Sequence, residues 1–282
     1  MSTVRTRQFE LQGSDGGPLR GEVRTAGSGA DRPVVVICHG FKGFKDWGFF
    51  PKLAQHLARA GITSVSFNFC SSGIGADGES FTEPERFGHG TLSGDLRDLA
   101  LVSEALAEGS LISDLRTPST YGLLGHSRGG GIAILHAARD PAVRALVTWA
   151  AVANVSRWDD ATAAQWRAEG KRGIVNARTG EELPLYTDLL EDIERNGADL
   201  DPLAAAAEMT ANWLIVHGGD DETVPVAEAR VLFSAAHAER TRLEVVEHGT
   251  HTLGVKHPWS GYTAELRQAL EATVGWFADH LQ

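Results

Sequence analysis

Tyr121-Gly122-Leu123-Leu124-Gly125-His126-Ser127-Arg128-Gly129-Gly130-Gly131 is the stretch on which the reading of the whole chain turns. Tyr121 to Leu124 is a short apolar run suited to a strand, and Gly131 to Ala138 is a run of small residues suited to a helix. Between them, Gly125 to Gly129 has the form G-x-S-x-G. The glycines permit a tight strand-to-helix turn that a Cβ would obstruct, and the serine hydroxyl projects from its tip. Ser127 is therefore the candidate nucleophile. A glycine-rich helix start that binds phosphate is the competing reading, but no Lys of a phosphate loop follows.

A serine hydroxyl is a weak nucleophile at neutral pH, so it needs a base within reach and a group that holds the base in one tautomer. Trp213 to Val216 reads as a strand, and the loop His217-Gly218-Gly219-Asp220-Asp221-Glu222-Thr223-Val224-Pro225 follows it. Two aspartates compete, and the spacing His-Gly-x-x-Asp-x-x-Val-Pro favours Asp221 over Asp220. Leu243 to Val246 is the next strand, followed by Glu247-His248-Gly249-Thr250-His251-Thr252-Leu253. His251 is the expected base, with His248 its rival and His257 too far along. As a metal group these three histidines lack the helical H-x-x-x-H placement and a carboxylate third ligand. An oxyanion needs two donors. One is expected from the backbone N–H of Arg128, directly after the nucleophile. The other is expected from Phe41 in His39-Gly40-Phe41, where Gly40 allows close approach.

Outward from these motifs, strands and helices alternate. Pro33 to Cys38, Ile62 to Phe69 and Val143 to Trp149 read as strands, while Phe50 to Arg59 and Leu92 to Leu106 carry helical spacing. Parallel neighbours need crossovers, so the expected class is α/β, with a mostly parallel eight-stranded sheet covered on both faces. Gln8 to Gln12 and Arg20 to Arg24 read as an antiparallel hairpin at one edge. No linker divides the chain, so residues 1–282 read as one domain. The irregular insertion Ala153 to Thr210 is expected to form a small helical cap over the C-terminal edge of the sheet.

The chain has 282 residues, of which 42% are hydrophobic and 22% charged, values that fit a folded globular protein and exclude a disordered or collagen-like one. Its formal net charge of -11 repels phosphate backbones and anionic lipid, so neither nucleic acid nor a membrane is an expected partner. Cys38 and Cys70 lie in apolar runs and read as reduced core thiols. Met1 to Glu10 has no apolar segment after its charges, and no run approaches the length of about 18 residues needed for a span. The default expectation is a cytoplasmic location.

The order Ser127, Asp221, His251, together with the motif around Gly40, resembles the α/β-hydrolase superfamily. The similarity is to its dienelactone-hydrolase-like and prolyl-oligopeptidase-like esterase branch, and it covers about residues 30 to 280. The resemblance implies a Ser127–His251–Asp221 triad, oxyanion donors at Phe41 and Arg128, and no cofactor. It further implies cleavage of small to medium acyl esters, aromatic ones among them, with a peptidase or amidase on the same triad as the alternative. The departure is Ser127 itself, because dienelactone hydrolases proper use a cysteine at this turn. The rings Trp47, Phe49, Phe50, Trp158 and Trp166 are expected either to wall an acyl site or to serve packing.

Overall fold

The computed structural model describes residues 3–27, 32–111, 117–176 and 180–281. The chain opens with β1 (Val4–Gln12) and β2 (Pro18–Ala26), then β3 (Val34–Cys38), α1 (Phe50–Arg59) and β4 (Thr63–Phe67). The short α2 (Pro84–Gly88) precedes α3 (Leu92–Ala107), β5 (Tyr121–His126), α4 (Arg128–Ala137) and β6 (Val143–Trp149). Next come α5 (Asp160–Glu169), β7 (Lys171–Val175), β8 (Glu182–Tyr186), α6 (Asp188–Asn196) and α7 (Pro202–Glu208). The chain closes with β9 (Asn212–Gly218), α8 (Val226–Ala235), β10 (Thr241–Val246) and α9 (Ala264–His280).

Eight strands form one sheet in the order β1-β2-β4-β3-β5-β6-β9-β10. The pairs β1–β2 and β2–β4 are antiparallel, and every pair from β4 to β10 is parallel. The edge hairpin and the mostly parallel sheet thus take the expected places. β3 shows why the strand runs are continuously apolar, since alternate side chains enter different cores. Val34, Val36 and Cys38 join the core that also holds Leu99, Val102, Ile132 and Leu135 of α3 and α4. Val35 and Ile37 face the core of α1 and α9, with Leu53, Leu57, Leu266 and Phe277. The buried indoles are satisfied, Trp213 donating to Thr148 Oγ1 at 3.0 Å and Trp149 to Thr273 Oγ1 at 2.9 Å.

Several strand ends shift by a few residues from their expected places, among them β4, which ends at Phe67 rather than Phe69, and the shifts around β5, β9 and the stretch 153–210 bear on the site. β5 runs through Gly125 to His126, which pairs with Trp149 of β6, and α4 starts at Arg128 rather than Gly131. Ser127 is consequently the only residue between strand and helix. β9 extends through His217 to Gly218, leaving the loop proper to begin at Gly219. The stretch 153–210 is not purely helical: beside α5, α6 and α7 it contains the two-stranded β7–β8 sheet, whose burial alternates along each strand. Residues 177–179 of that stretch lie outside the described residues. Cys38 and Cys70 are buried and unpaired with each other. Among the described residues, no helix is long and apolar enough to cross a membrane.

Candidate active site

The C-terminal ends of β3, β5, β9 and β10 deliver their following residues to one edge of the sheet. Ser127 sits there at φ 57° and ψ -124°. This is a region that side chains rarely enter, with strain of about 1–3 kcal/mol. The turn is held by Ser127 N–H donating to Trp149 O at 2.9 Å and by Gly130 N–H donating to Ser127 O at 2.9 Å. A Cβ on Gly129 would lie 2.2 Å from His39 O, and one on Gly40 would lie 3.0 Å from Ser127 Cβ. The glycines therefore let the β3 loop and the serine turn touch. Ser127→Gly should relieve the strain, and it is expected to be more stable than Ser127→Ala by about 1 kcal/mol in urea unfolding. An equal or lower midpoint for the glycine variant would contradict the strained turn.

The structure brings Ser127, His251 and Asp221 into one row. His251 Nε2 lies 3.1 Å from Ser127 Oγ, and His251 Nδ1 lies 2.8 Å from Asp221 Oδ2. Asp221 is buried and its other oxygen accepts N–H bonds from Thr223 and Val224, both at 2.9 Å. Burial alone would raise its pKa, but the hydrogen bonds from His251 and the Val224 N–H hold it below the ordinary carboxylate value. An ionised carboxylate only accepts, so Nδ1 of His251 carries the hydrogen and Nε2 is free to accept from the serine hydroxyl. The rivals do not join this row. His248 faces Asp220 at 3.3 Å, and both are exposed.

Phe41 and Arg128 flank Ser127, and neither backbone N–H is taken up by an acceptor among the described residues. The Gly40–Phe41 peptide is pinned from behind. Gly40 O accepts from His39 Nδ1 at 2.9 Å and from Gly43 N–H at 3.0 Å, which directs the opposite end of the peptide, Phe41 N–H, away from those partners. His39 Nε2 in turn accepts from Phe69 N–H at 3.2 Å. Burial, aided by the Arg128 charge, lowers the His39 pKa to about 4, which keeps the ring neutral as both bonds require.

Two histidines beyond the expected residues support the row. His126 Nε2 donates to the backbone carbonyl of His251 at 3.0 Å, and the two rings lie 4.8 Å apart. Burial and the neighbouring His251 lower the His126 pKa to about 3. His217 Nε2 donates to Val224 O at 2.8 Å, bracing the loop that carries Asp221. The unfolded chain binds protons at His39 and His126 near the ordinary 6.5, whereas the folded chain does not until about 4 and about 3. Stability from these two groups is therefore complete above 6.5 and is lost as pH falls from there toward 3. The urea midpoint is expected to drop between about pH 7.5 and pH 5, and to drop less steeply in His126→Asn. An equal slope in that variant would remove His126 from the account.

The row opens into a cavity of about 690 Å³. Its walls include Trp47, Phe50, Val155, Trp158, Leu189 and Val255, so the stretch after β6 forms part of the roof. The aromatic expectation divides here. Trp47 and Trp158 line the cavity, whereas Phe49 is buried against Phe50, His126 and Trp149, and Phe50, although it backs the cavity wall, belongs to the same core. Trp166 is likewise buried, with its indole N–H on Leu185 O at 2.8 Å. No carboxylate occurs among the described lining residues, while Lys42, Arg128, Arg157 and Lys256 do.

A mostly parallel eight-stranded sheet with a serine turn after its central strand defines an α/β-hydrolase. A family model described as serine aminopeptidase, S33, matches residues 29–179, and the chain belongs to that family. The matched span contains Ser127, whereas Asp221 and His251 lie beyond it. Among curated proteins, 2,6-dihydropseudooxynicotine hydrolase of Paenarthrobacter nicotinovorans is 23% identical over 246 residues, covering 86% of this chain and 59% of that protein. The chain thus spans little more than half of that relative's length. Ferulic-acid-bound Est1E of Butyrivibrio proteoclasticus has a TM-score of 0.71 at 18% identity, covering 96% of this chain and 98% of its own. A puromycin-hydrolyzing peptidase of Mycobacterium tuberculosis has a TM-score of 0.68 at 18% identity, covering 98% of this chain and 39% of its own. At these identities the two structures establish the fold alone.

Proposed function

We propose that this hydrolase cleaves carboxylic esters of small to medium acyl groups, including aromatic ones, through an acyl-enzyme on Ser127. His251 Nε2 takes the hydroxyl proton as Ser127 Oγ attacks the ester carbonyl, and the N–H groups of Phe41 and Arg128 hold the resulting oxyanion. Asp221 keeps the imidazole in the accepting tautomer and stabilises the imidazolium. The imidazolium then protonates the departing alcohol as the tetrahedral centre collapses. A water deprotonated by the same ring attacks the acyl-enzyme and releases the acid, returning the proton to Ser127.

The observation that favours ester over aminoacyl substrates is the lining of the cavity. A free amino terminus bound at pH 7 needs an acidic partner. The described lining has none and carries basic side chains instead. Trp47 and Trp158 suit an apolar or aromatic acyl group. Cytoplasmic residence accompanies this reading, supported by the two buried free thiols. The net charge of -11 supports a small-molecule ester over nucleic acid or a membrane as the partner. The test is a matched panel of aryl esters and aminoacyl or prolyl anilides with the same acyl groups. Esters should turn over with kcat/KM at least about 100-fold above the anilides after correction for their intrinsic reactivity. Anilides cleaved as well as the esters would assign the peptidase activity instead.

A further inference from the structure

We infer that the side chains of Asp95 and Arg128 are positioning groups for the oxyanion hole, locking Arg128 to Phe41 so that their two backbone N–H groups keep one spacing. This inference rests on the acyl-transfer reading above. Arg128 begins α4, yet its guanidinium does not extend to solvent. Its Nη2 meets Asp95 Oδ2 at 2.8 Å, with the side chains only 15% and 6% exposed. Asp95, in the first turn of α3, also accepts the Ser71 hydroxyl at 2.6 Å through Oδ1. The guanidinium carbon sits 5.2 Å over the centroid of the Phe41 ring. Phe87 of α2 stacks on that ring at 5.2 Å and 27°. The residues expected to supply the two donors are therefore in contact through their side chains, and both are tied to α2 and α3.

Such a pair has no clear stabilising purpose. A buried ion pair loses hydration that its mutual attraction only partly returns, and apolar residues of similar volume often serve stability equally well. Burial pushes the Asp95 pKa up against the opposing pull of Arg128. The arrangement also leaves Arg128 Nε buried without a partner, as it would be if stacking over Phe41 took precedence over hydrogen-bond saturation. What the arrangement does provide is a fixed distance between two donors whose value depends on fractions of an ångström.

Arg128→Met and Phe41→Leu keep both backbone N–H groups and remove the contact. Each is expected to lower kcat on an aryl ester by about 10- to 100-fold with KM within about threefold. The affinity for a boronic acid that adds to Ser127 Oγ as a tetrahedral boronate should fall in parallel with kcat. The double variant should lose no more than about threefold beyond the worse single one, because both break the same contact. Arg128→Lys, which can keep the ion pair without the planar stack, should recover part of the loss. Wild-type kcat in both singles, a loss confined to KM with boronate affinity intact, or losses that multiply in the double variant would each overturn the inference. If Arg128→Met does not fold, Phe41→Leu disturbs no charge and decides the matter by the same kcat and boronate readings. Ser127→Ala separates the two levels. Activity retained there defeats the acyl-transfer reading, whereas loss there with wild-type kcat in both singles, or in Phe41→Leu where Arg128→Met does not fold, defeats only this inference.

Discussion

Replacing Ser127 by Ala is expected to lower kcat on a short-chain aryl ester by about 10,000-fold or more, with the unfolding midpoint close to that of the parent. The size follows from the geometry: the hydroxyl lies 3.1 Å from His251 Nε2 and is that nitrogen's hydrogen-bond partner among the described residues, so its loss leaves the base with water alone to deprotonate. The unchanged midpoint follows because alanine keeps the Cβ and hence the same strained backbone at φ 57°. Steady-state turnover together with urea unfolding measures both halves. Turnover within tenfold of the parent in a folded variant would mean that another residue attacks the substrate.

Asp221→Asn is expected to lower kcat by about 1,000- to 10,000-fold, while Asp220→Asn stays within about threefold. The tautomer of His251 decides the outcome. In the folded chain, one oxygen of Asp221 already holds the N–H groups of Thr223 and Val224. An asparagine must keep its oxygen there, so its NH₂ faces His251 Nδ1. That nitrogen then has to accept, the hydrogen moves to Nε2, and the ring can no longer take a proton from Ser127. Asp220 faces only His248 in an exposed pair, which contributes little. Equal losses in the two asparagine variants, or a larger one at position 220, would overturn this assignment of roles.

How much of this was legible in the sequence depends on how local each signal was. The Gly125 to Gly129 turn carries its own geometry, since glycine is needed where the backbone turns and where His39 O approaches Gly129. The strand Val143–Trp149 and the helix Phe50–Arg59 have the bounds that their apolar patterns suggest, because each is bracketed by clear breaks. The row of Ser127, His251 and Asp221 could be proposed because each lies just beyond a recognisable strand, and parallel strands release their C-terminal ends on one side.

The supporting residues were not legible, and for a common reason. His126 occupies the free x of G-x-S-x-G, and its partner is a carbonyl 125 residues away. Asp95 looks like any acidic residue in a first helical turn, a favourable place on electrostatic grounds alone. Only the packing of α3 against α4 turns it toward Arg128. The β7–β8 hairpin has short, half-exposed strands that alternate in burial, but Gly173 and Pro184, residue types depleted in strands, occupy outward positions, so no strand run stands out between its charges. The helix α9, in contrast, carries a local signal, since Leu266, Ala269, Leu270, Thr273 and Phe277 recur at helical spacing and form its buried face.

The claim on which the rest stands is that Ser127 is an activated nucleophile, made so by His251 and Asp221. A fluorophosphonate carrying a reporter group tests it directly, because only an activated serine displaces the fluoride at a useful rate. Peptide mass spectrometry of the labelled protein should place the phosphonyl group on Ser127 alone, with labelling abolished in Ser127→Ala and slowed at least about 100-fold in His251→Ala. Label on a different residue, or a folded protein that resists the reagent altogether, would contradict the account.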